Sequence, residues 1–218
     1  MGTDIHLFVE RREGDKWVAV AGPNPWYTEG SGEPKEILGD WLWYGRDYDV
    51  FAILANVRNG YGFAGCDTGD GFIPIDMPRG LPEDVSPEVR AEAEAWGLDG
   101  HSHSWITLRE LLEYDWSRKT KHRGVVDESG FKEFLEKGKP RSWCGGISGK
   151  NVVFVTNDEM KMIVEGRMAR EENKKYVTKV EWEETYRETV GYFLDEVIPK
   201  LKNLGEPDDV RIVFWFDN

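Results

Sequence analysis

Two tripeptides concentrate the residues best suited to chemistry. They are Asp4-Ile5-His6, close to the start, and His101-Ser102-His103, just after Gly97-Leu98-Asp99-Gly100; three of the chain's four histidines fall in them. In an extended segment side chains alternate between faces, so Asp4 and His6 point the same way, as do His101 and His103. Brought together, the pairs would present three imidazoles and a carboxylate, a donor set suited to zinc, manganese or iron. An ion held there would lower the pKa of a bound water and polarise a phosphoryl group. General acid–base work at a strand edge is the other chemistry these residues can do. The bland alternative is a polar strand face, with Glu10 in the same parity, and a loop whose serines cap a helix.

Other residues could serve such a centre from outside. Arg46 and Arg58 would orient an anionic substrate through charge-assisted hydrogen bonds. Trp43 and Tyr44, next to Trp41, could stack on a flat ring or simply pack in the core. Lys150 closes Gly145-Gly146-Ile147-Ser148-Gly149-Lys150, which tempts a phosphate-loop reading. Cys144 stands where that motif needs its first glycine, and the segment precedes a strand rather than following one. Lys150 and Arg141 therefore stay as anion contacts only. Asp67-Thr68-Gly69-Asp70-Gly71 has oxygen donors for a hard cation but lacks EF-hand spacing, so a turn is the better reading. Cys144 lies among Arg141, Trp143 and glycines, and a free buried thiol is its default.

Those residues need elements to position them. Thr3 to Arg11 alternates as a strand, and Lys16 to Ala21 returns after Glu13-Gly14-Asp15 as a hairpin arm. Residues 22–40 and 60–83 are rich in Gly and Pro and read as long loops, suited to cover a pocket or an oligomer interface. Asp49 to Arg58 reads as a short buried helix closed by Asn59-Gly60. Ser86-Pro87 opens a helix ending near Gly97, and Thr107-Leu108-Arg109-Glu110 is a capping box for the next, to about Trp116. His101 and His103 fall in the connector between them, next to a helix N-terminus. Phe131 to Lys137 reads as helix, Asn151 to Thr156 as strand, and Met160 to Val164 as either. From Thr178, Trp182, Tyr186, Val190, Phe193, Val197, Leu201 and Leu204 step by three and four, which predicts one long helix ended by Gly205. Val210 to Phe216 is a strongly apolar strand. The expected fold is α+β: one domain over 1–218, with a small, mostly antiparallel sheet packed by several helices and long loops.

The composition narrows the partners. In 218 residues, 41 acidic against 28 basic residues leave a net charge of −13, which repels nucleic-acid polymers but leaves room for one small anion or nucleotide in a local pocket. Cys66 and Cys144 make neither a disulfide scaffold nor a zinc-finger pair. With no signal-like or membrane-length apolar run, the expected location is the cytoplasm of the cell that makes it.

The two histidine tripeptides resemble the first and last motifs of calcineurin-like metallophosphoesterases. The Gly-Asn-His motif of that family is absent and only three residues precede Asp4, so the likeness is local chemistry and not fold. The first half of the chain resembles, more closely, an uncharacterised family of phage and bacterial proteins that open with Met-Gly-(Cys or Thr)-Asp-Ile-His. Met1 to Val9, Gly45 to Ala52, Arg79-Gly80-Leu81-Pro82 and His101 to Trp105 carry that resemblance. It implies a viral or mobile-element setting, with the protein working in the host cytoplasm. The functional expectation is a small metal-dependent hydrolase of nucleotide-like or phosphate-containing molecules. Asp4, His6, His101 and His103 would hold the ion, and Arg46, Arg58, Trp43, Tyr44 and Lys150 would hold the substrate. The alternative is a counter-defence protein that sequesters a small signalling nucleotide without altering it.

Overall fold

A computed structural model describes residues 2–59 and 72–217; Cys66, the 67–71 segment and much of the 60–83 loop lie outside them. In chain order the elements are Ile5–Glu13 (β1), Lys16–Ala19 (β2), Gly22–Pro23 (β3), Glu36–Ile37 (β4), Tyr48–Ala55 (α1), Pro87–Trp96 (α2), His101–Thr107 (β5) and Leu108–Glu113 (α3). Lys119–Asp127 (β6), Glu128–Lys137 (α4), Val152–Phe154 (β7), Asn157–Val164 (α5), Lys175–Thr185 (β8), Tyr186–Thr189 (α6), Gly191–Lys202 (α7) and Val210–Phe216 (β9) follow. The fold is α+β, with mainly antiparallel sheets. Its contacts gather the described residues into two compact units, one of 2–58, 73–116 and 187–217, the other of 59, 72 and 117–186.

The first unit is built on the sheet β2-β1-β9-β5. β9 is buried along its whole length, because both of its neighbours are strands and both of its faces are covered. Ile5, Leu7 and Val9 pair with Phe216, Phe214 and Ile212 on one face. There α1 packs, with Phe51 edge-on to Phe216 at 5.0 Å. On the other face Phe8, Val213 and Trp215 meet Val89 and Ala93 of α2. That alternation puts His6, Phe8 and Glu10 on the α2 side, as the period of two requires.

Capping follows the local chemistry. The Asp47 carboxylate accepts the N–H groups of Asp49 and Val50 and starts α1. α1 stops at Asn56, whose left-handed φ of 55° ends it short of the Arg58 boundary read from the sequence. Thr107 and Glu110 form the expected capping box of α3. α2 begins at Pro87, but the Ser86 side chain makes no cap. The buried Glu10 carboxylate accepts the Ser86 N–H instead, at 2.7 Å. Glu10 also accepts from Arg211 Nε at 2.7 Å, and Arg211 reaches Asp84 at 2.9 Å. The Arg211 guanidinium lies over Trp17 at 4.0 Å and near Trp105 at 5.6 Å, with Arg12 beyond Trp17 and Arg79 beyond Trp105. Cations and indoles thus alternate along a chain of contacts, Arg12, Trp17, Arg211, Trp105 and Arg79.

The second unit carries the sheet β6-β8-β7, with β7 parallel to β8. Val126, Phe131, Met160, Ile163, Tyr176, Val180 and Trp182 form its core. The long helix expected from Thr178 is here a strand as far as Thr185; α6 and α7 follow. Tyr176, Thr178, Val180 and Trp182 are buried while Lys179, Glu181 and Glu183 are exposed, a period of two that the helical spacing of Trp182 and Tyr186 masks. Its partner β6 has no counterpart in the sequence reading. Met160 belongs to helix α5, started by a second capping box, Thr156 with Glu159. Cys144 is exposed rather than buried, held in a bridge to Val125.

Candidate functional site

β1 and β5 both pair with β9, and both begin at the end where β9 finishes, so the two histidine tripeptides do come to one end of one sheet. The segment read as a connector is strand β5. A bulge between His101 and Ser104, with Ser102 at φ 53°, places two residues opposite Trp215. His101 therefore pairs with Phe216 on the α1 face, while His103 stacks on Trp215 at 5.4 Å on the α2 face. The extra residue cancels the strand alternation that would have put both imidazoles on one side. Trp215 also separates His103 from His6, with ring centres 6.2 Å from His6, and their strands are two spacings, roughly 9–10 Å, apart.

Of the expected metal set, Asp4 and His6 are held by other charged side chains, while His101 meets Ser102 and His103 stacks on Trp215. Asp4 accepts a two-pronged contact from Arg46, Nε at 2.8 Å, and that hydrogen bond holds its carboxyl below the usual range. His101 Nδ1 lies 3.0 Å from Ser102 Oγ. Burial, and then the neighbouring His101, push the His103 imidazole below its ordinary pKa. His6 sits between two carboxylates that sequence reading missed: Nδ1 is 3.3 Å from Asp40 Oδ2, and Nε2 is 3.5 Å from Asp217 Oδ2. Burial alone would lower the His6 pKa, but the hydrogen bond and charge of Asp40, helped by Asp217, raise it above the ordinary value. Each ring nitrogen of His6 thus faces a carboxylate of the protein itself. Among the described residues no three His, Cys, Asp or Glu side chains are grouped to hold an ion. The donor set does not fit the expected metal.

Asp40 and Asp217 are placed by backbone pairing. The Asp40 N–H donates to Leu7 O at 2.7 Å, and its Oδ1 accepts the Leu7 N–H at 2.7 Å. Asp40 sits at φ 62°, a conformation uncommon outside glycine, stabilised here by those two bonds. Asp217 Oδ1 accepts the Asp4 N–H at 2.9 Å, and its own N–H donates to Asp4 O at 3.2 Å. Only knowledge that β1 pairs with β9 could have found Asp217; for Asp40 the one local signal is Gly39 before it. Thr3 is buried, with its N–H donating to Tyr48 and its hydroxyl accepting from Arg58 Nε. Arg46 and Arg58 thus each hold a residue just before β1, Asp4 and Thr3 in turn.

Beside His6 lies an open cavity of about 450 Å³ lined by His6, Phe8, Leu38, Asp40, Glu92 and Trp96, with the Trp96 ring 4.0 Å from His6. Trp43 and Tyr44 line a different cavity of the same unit, together with Trp41 and Tyr192. Lys150 belongs to the second unit, in the turn before β7. Comparison of the chain with protein-family models, curated proteins and solved structures gives no match.

Proposed function

We propose that the first unit is a small hydrolase working by acid–base catalysis at His6, on phosphate esters of nucleotide-like size. The observation that carries this reading is the imidazole of His6 between Asp40 and Asp217 on the wall of a cavity that holds a third carboxylate, Glu92. A proton donor with a raised pKa and a neighbouring base is the pairing such chemistry uses. Water adds at phosphorus and gives its proton to Glu92. The bond from phosphorus to the leaving oxygen breaks, and His6 gives that oxygen its proton. Arg46 and Arg58 supply positive charge at the same end of the sheet. The proton of His6 does the work that the sequence reading gave to a metal ion.

The test is turnover of a panel of cyclic nucleotides and dinucleotides, followed by chromatography. His6→Gln is expected to lower kcat by about 10²–10⁴, the usual contribution of a positioned proton donor. Asp40→Asn removes the largest cause raising the His6 pKa, so the alkaline limb of the rate profile should move to lower pH. Turnover that survives His6→Gln unchanged, or a limb that stays in place, overturns the reading. A second reading, capture of a nucleotide without hydrolysis, is favoured by the aromatic cavity; its signature is slow release of an unaltered nucleotide.

A further inference from the structure

The His6 imidazole is bordered by an indole as well as by carboxylates. Trp96 is the last residue of α2, and its ring centre lies 4.0 Å from that of His6, with the two planes 34° apart. Val89, Ala93 and Trp96 step by four and three along one helix face and pack on Phe8, Val213 and Trp215 of the sheet. The turn after α2 fixes where Trp96 sits. The Gly97 N–H donates to Glu94 O and the Asp99 N–H to Trp96 O, each at 3.1 Å. Gly100 passes so close that a Cβ there would lie 3.0 Å from Trp96 Cβ. Trp215 also borders His6, but with ring centres 6.2 Å apart it is just beyond the roughly 6 Å over which a ring face attracts a cation.

We propose that Trp96 is a positioning residue of the proton site: its indole face binds the protonated imidazole of His6 more strongly than the neutral one and sets the plane of the ring. The inference rests on the proposed function only in taking His6 as the proton donor. The face of an indole is its electron-rich side, so it attracts a cation and gains little from a neutral ring. The charged groups around His6 are Asp40, Asp217, Glu92 of α2 on the cavity wall, and Asp4, itself gripped by Arg46. All four carboxylates favour the imidazolium, and what opposes it is burial. Trp96 is part of what buries His6. An indole that served only as apolar cover would therefore work against the proton, whereas an indole face that binds the cation works for it. The two roles have opposite signs.

The experiment follows the ring signals of His6 by NMR through the imidazole titration range in the intact chain. The signals are assigned by their loss in His6→Gln, and no substrate is needed. Trp96→Leu keeps an apolar cover and removes the aromatic face. Its His6 midpoint should fall by about 0.4–1.5 pH units, the span expected of a cation–π contact from exposed to desolvated. Trp96→Phe keeps a weaker ring face and should fall by less. Trp96 is half-buried at a helix end, and where the leucine loosens that end, Trp96→Phe against the parent carries the same sign. A midpoint in both variants equal to or above that of the parent overturns the inference, because the indole is then a cover and nothing more. A fall in midpoint without turnover of any ester leaves the inference standing and removes the hydrolase reading. Turnover that His6→Gln abolishes, with midpoints unmoved in the Trp96 variants, does the reverse.

Discussion

Arg211→Met removes a guanidinium from a site where its partner cannot follow it into water. Glu10 is fully buried, and Arg211 is 2 % exposed. With Arg211 gone, Glu10 keeps only the Ser86 N–H as a strong partner, and a buried carboxylate stripped of its counter-ion costs about 3–5 kcal/mol. At roughly 2–4 °C per kcal/mol for a chain of this size, the melting temperature should fall by about 6–20 °C. Glu10→Leu combined with Arg211→Met removes both charges and leaves the buried Ser86 N–H without its acceptor, a cost of about 1–3 kcal/mol. The double variant should therefore be more stable than Arg211→Met alone by about 1–3 kcal/mol. Urea unfolding of the parent, both single variants and the double variant, compared at equal m-values, closes the cycle. Strict additivity of the two single losses would refute the account. So would a loss below about 1 kcal/mol for Arg211→Met, because the guanidinium would then be contributing only through its stacking on Trp17 and Trp105.

Two further tests address the candidate site. His6 has a folded pKa above its unfolded one, so its stabilisation is complete below the ordinary imidazole value and is lost as pH rises through the raised value. Unfolding curves of the parent and His6→Gln, taken from pH 5.5 to 9, should converge at the alkaline end; a constant gap would mean that the carboxylates do not hold a proton there. At the bulge, Ser102 has φ 53°, so Ser102→Val should cost about 1–3 kcal/mol and Ser102→Gly should stay near the parent or above it. The reverse order, read by thermal melting, would show that the serine hydroxyl on His101 matters more than the backbone.

Much of the frame was legible because local rules are strong where a cap or an apolar run is explicit. Pro87 after Ser86, the Thr107–Glu110 box and the run Val210–Phe216 each named their element. The strand β8 was not legible, since Trp182, Tyr186 and Val190 satisfy a helical spacing by joining the end of a strand to the helix that follows it. For the site, sequence singled out Asp4, His6, Arg46 and Arg58, and left open whether the two histidine motifs meet. It could not show the bulge at Ser102, which is a property of pairing with β9, nor Asp40 and Asp217, which reach His6 from 34 positions away and from the far end of the chain. Long-range pairing is written in two segments at once, and a window along one of them does not contain it.

The antiparallel pairing of β1 with β9 has a mechanical consequence. Ile5 lies opposite Phe216, so residues 4 and 217 sit side by side at the mouth of the central strand pair. A load applied at those two points pulls across the ladder and opens its hydrogen bonds one after another, rather than shearing them together. The first rungs to part would be the mutual bonds of Asp4 and Asp217, and with Asp217 goes one of the two carboxylates holding His6. Whatever is fused to or tugs on both ends of this sheet therefore acts on the proton site before it reaches the core.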